Sequence, residues 1–428
     1  MATAHSNELK PEPRSLGKSV RKPTRLQVLA CAVAGSLASF GAGAQSLLQA
    51  PTEPGADLAF ALTTNGVHVV AGAPGADDRA GRVYSIECIG QSCLTPSLVQ
   101  SNDLASGDLF GAAVSVFADT LVIGAPDQGS GAVYVYVFSA GSWQLQEKLN
   151  ASAGVAGDRF GAAVSVLADR IAIGAPGADN GTGAAYVFEN LGGNWTQTAR
   201  LQAADADVDH AFGSSVALAT DTLIAGAPHW ASSTLGAFSQ GAAYVFVRNS
   251  PAWEQQARLL SPSPANGQLF GSALAVSAER ALIGAPLANA GTGNAHVFLR
   301  AGSTWTQQAQ ITPAGGGLPG DRFGWSVSLD ADQALIGAPF ALDGCGASTR
   351  YVFAAGNWTA SAETLVSDHV PGGLNGWSVS LLGPRRVIGV PGFSSAASHR
   401  GAAWLRDVGD GIFADGYESS AAALCIPD

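Results

Sequence analysis

The stretch Leu121-Val-Ile-Gly-Ala-Pro126 recurs in variant form seven times along this chain, and that recurrence decides the fold. Gly-x-Pro stands at Gly72–Pro74, Gly124–Pro126, Gly174–Pro176, Gly226–Pro228, Gly284–Pro286, Gly337–Pro339 and Gly389–Pro391. Successive glycines lie 52, 50, 52, 58, 53 and 52 residues apart. Six copies read Gly-Ala-Pro and the last reads Gly-Val-Pro. A near-constant period of about 50 residues with high strand content implies propeller blades rather than a short-period solenoid.

Each period divides into four strand-like pieces, A to D. In the second copy they are Phe110-Gly-Ala-Ala-Val-Ser-Val-Phe-Ala-Asp119, Thr120-Leu-Val-Ile-Gly-Ala-Pro126, Gly131-Ala-Val-Tyr-Val-Tyr-Val-Phe138 and Trp143-Gln-Leu-Gln-Glu-Lys-Leu149. β-Branched and aromatic residues alternate along most of them, as in Val114/Val116 and Leu121/Ile123. Strand A opens again at Phe160-Gly161, Phe212-Gly213, Phe270-Gly271 and Phe323-Gly324, with degenerate openings at Phe60-Ala61 and Asn375-Gly376. Strand D opens with Trp195, Trp253, Trp305 and Trp358. These periodic aromatics are read as packing between sheets. The glycines allow close backbone approach, and the proline ends strand B because it has no N–H to donate.

The seventh copy has strands A to C but no Trp-led strand D. Ser46-Leu-Leu-Gln-Ala50 matches Arg200-Leu-Gln-Ala203, and Leu48 lies 12 residues before Phe60 as Ile311 lies 12 before Phe323. The fold expected is therefore an all-β, seven-bladed β-propeller of four-stranded antiparallel blades over residues 45–406. Its ring is closed by the N-terminal strand of the mature chain, which covers an open edge.

Residues 1–44 read as a secretory signal. Lys10, Arg14, Lys18, Arg21, Lys22 and Arg25 precede an apolar run from Leu26 to Phe40, followed by Ala42-Gly-Ala44. The run is short and broken by Gly and Ser, unlike a membrane span. Cys31 raises a lipoprotein alternative, but it lies near the start of the run where a lipobox lies after it. Six basic and two acidic residues belong to this segment, leaving 16 basic against 31 acidic, a net charge of −15. That balance excludes nucleic acid and anionic membrane as partners.

Four cysteines remain beyond the signal, an even number for an oxidising compartment. Cys88 and Cys93 are expected to close a small loop, and Cys345 with Cys425 to pin the C-terminal tail (407–428). Zinc is the rival reading, without C-x₂-C or paired histidines to support it.

Phe-Gly opening one strand and Gly-Ala-Pro closing the next resembles the FG-GAP repeat, the blade unit of the integrin α-subunit propeller and of many bacterial secreted proteins. The resemblance covers residues 46–406. It implies a propeller that presents a ligand-binding face in a protein of adhesion or extracellular-recognition type. Many integrin-type repeats carry a calcium loop between strands A and B. Here that connection is Ala118-Asp-Thr120, Ala168-Asp-Arg170, Ala219-Thr-Asp-Thr222, Ala278-Glu-Arg280 or Asn65-Gly66. Turns this tight leave no room for six or seven oxygen ligands, so no calcium is expected there and no other cofactor is indicated.

Function is sought in the D-to-A and B-to-C loops, which emerge on one end. Asp205, Asp207 and Asp209 precede the fourth Phe-Gly, and His229 and Trp230 open the longest B-to-C connection. These five are the ligand-binding candidates, Trp230 as a stacking platform; the alternatives are a solvated acidic loop and a tryptophan folded over its own insertion. No nucleophile elbow, metalloprotease motif, phosphate loop or paired acid and base is present. The tail segment Ile412-Phe-Ala-Asp-Gly-Tyr-Glu418 resembles a short C-terminal motif of some secreted Gram-negative proteins. The expected protein is a monomeric, non-catalytic binding propeller of the periplasm, cell surface or medium. Its ligand is a protein or matrix component, with a lectin-like glycan binder and then a propeller hydrolase as the alternatives.

Overall fold

The computed structural model describes residues 46–49, 55–89, 92–233, 236–277, 279–365, 372–392, 394–395, 398–399 and 401–407. The signal segment, the end of the tail and Cys425 lie outside these residues. Seven antiparallel sheets follow one another along the chain, each with strands in the order A-B-C-D. The second blade is typical: Ala113–Phe117, Thr120–Ala125, Ala132–Ser139 and Ser142–Leu149. In the first blade strand C, Arg82–Ile89, pairs with two short pieces, Ser92–Cys93 and Ser97–Val99. The disulfide between Cys88 and Cys93 closes the first of these hairpins. Cys345 is buried and disulfide-bonded.

In the seventh blade, Ser46–Gln49 pairs antiparallel with Ala402–Asp407. Leu48 stands opposite Ala403, as Leu201 stands opposite Ala185 in the third blade. The first strand of the described chain thus occupies the outermost position of the last blade.

The repeated glycines lie on the seams between blades. The N–H of Gly111 donates to the carbonyl of Gly124 in its own blade. On the other side, its carbonyl lies 1.9 Å from where a Cβ on Gly72 of the preceding blade would be. Such a contact leaves no space for a side chain on Gly72, while on Gly111 a Cβ would meet the Arg82 carbonyl at 2.8 Å and the φ of +89° favours glycine. A second seam contact is a parallel bridge from the glycine leading strand C to the next blade's phenylalanine position, as in Gly131 to Phe160.

This seam corrects the sequence alignment of the first blade. The bridge that closes the ring joins Gly401 to Leu58, and Gly389 faces the carbonyl of Ala59. Leu58-Ala59 therefore takes the Phe-Gly position, and Phe60-Ala61 falls two residues later. Residue similarity favoured Phe60, but backbone register decides the position. Leu58 is fully buried, as a seam residue must be, while Phe60 is 36% exposed.

Two further stitches join neighbouring blades. Hydroxyls on strand A accept N–H groups from the next strand A: Ser115 from Val166, Ser165 from Leu218, and Ser328 from Leu381. On the outside, the strand D tryptophans donate their indole N–H to a glutamine of the preceding strand D. These pairs are Trp195 with Gln146, Trp305 with Gln256, and Trp358 with Gln308. Trp253 has Thr198 at the corresponding position, and its buried indole nitrogen has no partner.

Candidate functional site

Two of the fourth-blade candidates, Trp230 and Asp205, come together, Trp230 buried and Asp205 at the surface beside it. Trp230 is 6% exposed and packs with Phe212, Tyr244 and Trp253. Its indole N–H donates to Asp205 Oδ2 at 3.0 Å, and the Arg258 guanidinium lies 4.8 Å above its ring while pairing with the same carboxylate. Burial pushes the Asp205 carboxyl up, but the Tyr244 hydroxyl, the Trp230 indole and Arg258 together hold it below the ordinary range. The Trp230 carbonyl also accepts the N–H of Gly241, clamping the base of the insertion. Trp230 is thus a folded-back tryptophan that offers no open stacking face. The expectation of a sugar or side chain stacked on it is corrected: closing a long insertion required a large buried side chain.

The other candidates are dispersed around this cluster. Asp207, Asp209 and His229 are exposed, and Asp209 takes a left-handed backbone with φ 62°. His210 stands at the position of Asp108, Asp158 and Asp321, whose carboxylates each accept an N–H three residues upstream. Burial pushes the His210 imidazole below its ordinary value.

Asp205 belongs to a recurring arrangement. Asp103 pairs with Lys148 at 2.6 Å and Asp179 with Arg200 at 2.5 Å, each cation lying over the strand C tyrosine of its blade. These carboxylates are held by their own chain's cations.

A different cluster lies at the head of strand A in the sixth, seventh and first blades. Trp325, Trp377 and Phe60 each follow the Phe-Gly position by one residue, and strand A is the innermost strand, so they line the inner rim of the loop end. Ring centroids are 4.9 Å apart for Trp325 and Trp377, and 5.5 Å for Trp377 and Phe60. Phe340, directly after the sixth Gly-Ala-Pro, stands 5.9 Å from Trp325 and 6.3 Å from Trp377. Arg322 lies 4.2 Å above Phe340 and 5.5 Å from Trp325. Both tryptophans and Phe340 are half-buried. Leu318 and Leu342, on the loops beside them, are 66% and 43% exposed. Leu342 sits in a left-handed turn, Ala341–Gly344, with φ 54°, a conformation that costs a leucine about 1–2 kcal/mol.

A family model described as FG-GAP repeat matches residues 97–136, 143–188, 195–246, 253–298 and 305–353. Together these matches cover more than half of the chain. The chain belongs to the FG-GAP repeat family. Each matched unit of this FG-GAP propeller begins on strand D of one blade and ends on strand C of the next. The units leave out strands A to C of the first blade and the whole seventh blade, where Leu58-Ala59 and Asn375-Gly376 replace Phe-Gly. A comparison with curated proteins finds no match.

The A-to-B connection of the second blade is a two-residue turn. Between Phe117 and Thr120 only Ala118 and Asp119 intervene, with Ala118 at φ 47°. Among the described residues no three His, Cys, Asp or Glu side chains are grouped to hold a metal ion, and no helix is long and apolar enough to cross a membrane.

The aromatic rim is a functional candidate that the sequence reading missed. Its signal was a break in the repeat: the position after Phe-Gly reads Ala112, Ala162, Ser214 and Ser272 in four successive copies, then Trp325 and Trp377. Phe60 joins this series only once the first blade is in register.

Proposed function

We infer that the protein is a non-catalytic binding propeller. It engages a protein ligand outside the cytoplasm through its loop end, with the aromatic rim at the centre of the contact. The observation that carries this reading is the half-exposed arc of Trp325, Trp377 and Phe60, flanked by the exposed Leu318 and Leu342. Aromatic anchors ringed by smaller apolar groups are the composition of protein-binding hot spots. The non-catalytic part is supported by the ion pairs of Asp103, Asp179 and Asp205, which leave these loop-end carboxylates neutralised by their own chain. The extracellular part is supported by the Cys88–Cys93 disulfide and by the signal read in residues 1–44.

The test is photocrosslinking in the cells that make the protein. A benzophenone amino acid replaces Leu318 at the loop end or Phe117 on an A-to-B turn at the opposite end. A discrete protein adduct from position 318 and none from 117 is expected. Adducts from 117 alone, equal adducts from both, or none from either would refute the reading.

A further inference from the structure

We propose that the aromatic rim recognises an extended, proline-rich peptide segment of the protein ligand. This rests on the reading of the loop end as the ligand face, and it names the chemistry taken there.

The first observation is the hydrogen-bonding character of the rim. The indole nitrogens of Trp325 and Trp377 make no hydrogen bond among the described residues, and neither is buried. This separates them from Trp195, Trp305 and Trp358, whose N–H groups are satisfied by glutamine. Arg322 is the nearby cation, and it rests on the rings rather than on a carboxylate. Indole and guanidinium groups donate and never accept.

Three of the neighbouring acceptors are already engaged. Asp321 Oδ2 takes the N–H of Leu318, and the carbonyls of Gly376 and Ala59 take the hydroxyls of Ser326 and Ser378. Free indole donors and a ring-bound guanidinium set among apolar faces are complementary to an apolar ligand rich in acceptors. Polyproline has that chemistry, because every residue presents a carbonyl and an apolar pyrrolidine ring and none presents an N–H.

The second observation is geometric. The rings are inclined at 51° and 46° to one another, so they form a corrugated strip rather than one flat platform. The centroid path from Trp325 through Trp377 to Phe60 is about 10 Å, and a polyproline II helix rises about 3.1 Å per residue, so the strip spans one turn of three residues. Aromatic-lined strips of this kind hold a preformed polyproline helix at low entropic cost.

Fluorescein-labelled decaproline, followed by anisotropy against the purified secreted protein, tests the proposal. Saturable binding is expected. Trp325→Phe or Trp377→Phe keeps a ring and loses the N–H, and should weaken binding roughly 3–10-fold, the worth of one hydrogen bond. The double change Trp325→Ala/Trp377→Ala should weaken it more than tenfold, and Phe117→Ala at the opposite end should leave it unchanged. Matched melting temperatures identify variants that fold. Absence of saturable binding at millimolar protein, phenylalanine variants that bind as the parent does, or tighter competition by cellohexaose would each overturn the proposal. If decaproline fails while position 318 still captures a protein, the ligand-face reading stands and only the peptide chemistry falls.

Discussion

The carbonyl oxygen of Gly161 lies 2.0 Å from where a Cβ on Gly124 would be. The same relationship joins Gly174 to Gly213, Gly284 to Gly324 and, across the closure, Gly389 to Ala59. The seam therefore explains the glycine of Gly-x-Pro, while the Phe-Gly position needs a positive φ that Ala59 also adopts in the first blade. Gly124→Ala must push two blades apart, and a loss of about 3 kcal/mol or more is expected in urea unfolding. Gly141→Ala is the control: nothing lies within 4 Å, and only its φ of +80° is unfavourable. Its cost should stay near 1 kcal/mol. Equal losses in the two variants would show that the seam is not what demands glycine.

Deleting residues 45–52 removes the strand paired with Ala402–Asp407 and exposes an edge in a sheet that is otherwise covered. The truncated chain should melt several degrees lower and lose the cooperativity of a closed ring. Differential scanning calorimetry on both forms checks this. Coincident transitions would mean that the clasp contributes nothing.

His296 stands where the second, third and fourth blades carry Tyr134, Tyr186 and Tyr244. It is 1% exposed, and burial pulls its pKa down to about 4, with Gln307 opposing. Its folded value lies below the unfolded value of about 6.5, so the unfolded chain takes up a proton that the folded chain refuses. Stability is therefore complete above pH 6.5 and falls as the pH drops towards 4, by about 3 kcal/mol from this residue. His296→Tyr should flatten that part of the stability profile. His68 and His210 are lowered by burial in the same sense, so a residual slope is expected. An unchanged profile would exclude His296 as its source.

Thr198→Gln should stabilise the protein. The strand D glutamine at this position accepts the next blade's indole N–H at 3.0–3.1 Å in three other seams, and Trp253 lacks one. Supplying it should add about 1 kcal/mol, read as a raised urea midpoint at constant slope. A lowered midpoint would mean that the third seam has no room for the longer side chain.

Much of the fold was legible because the determinants of a propeller repeat. Gly-Ala-Pro fixed the period, the Trp-led strands gave the outer edge, and Ser46–Gln49 matched an outer strand by residue type. The first blade slipped by two residues because Phe60 looked like the repeat's phenylalanine. What marks that position is a backbone bridge, which Leu58 makes as well as phenylalanine does. The site was less legible for the opposite reason. Trp230 broke the strand D series and drew attention as a stacking candidate, with a fold-back over its own insertion as the alternative, and it is the fold-back that the structure has. Trp325 and Trp377 broke a different series, the small residue after Phe-Gly. They meet only because neighbouring blades bring the heads of their inner strands together.

Hydrogen–deuterium exchange on the protein bound to the partner captured at position 318 tests the assignment of function most directly. Protection should concentrate in residues 55–61, 320–326, 339–345 and 374–378, around the rim of Phe60, Trp325, Phe340 and Trp377, and should be absent from the A-to-B turns. Protection confined to residues 203–212 and 229–241 of the fourth blade, or to the opposite end, would contradict it.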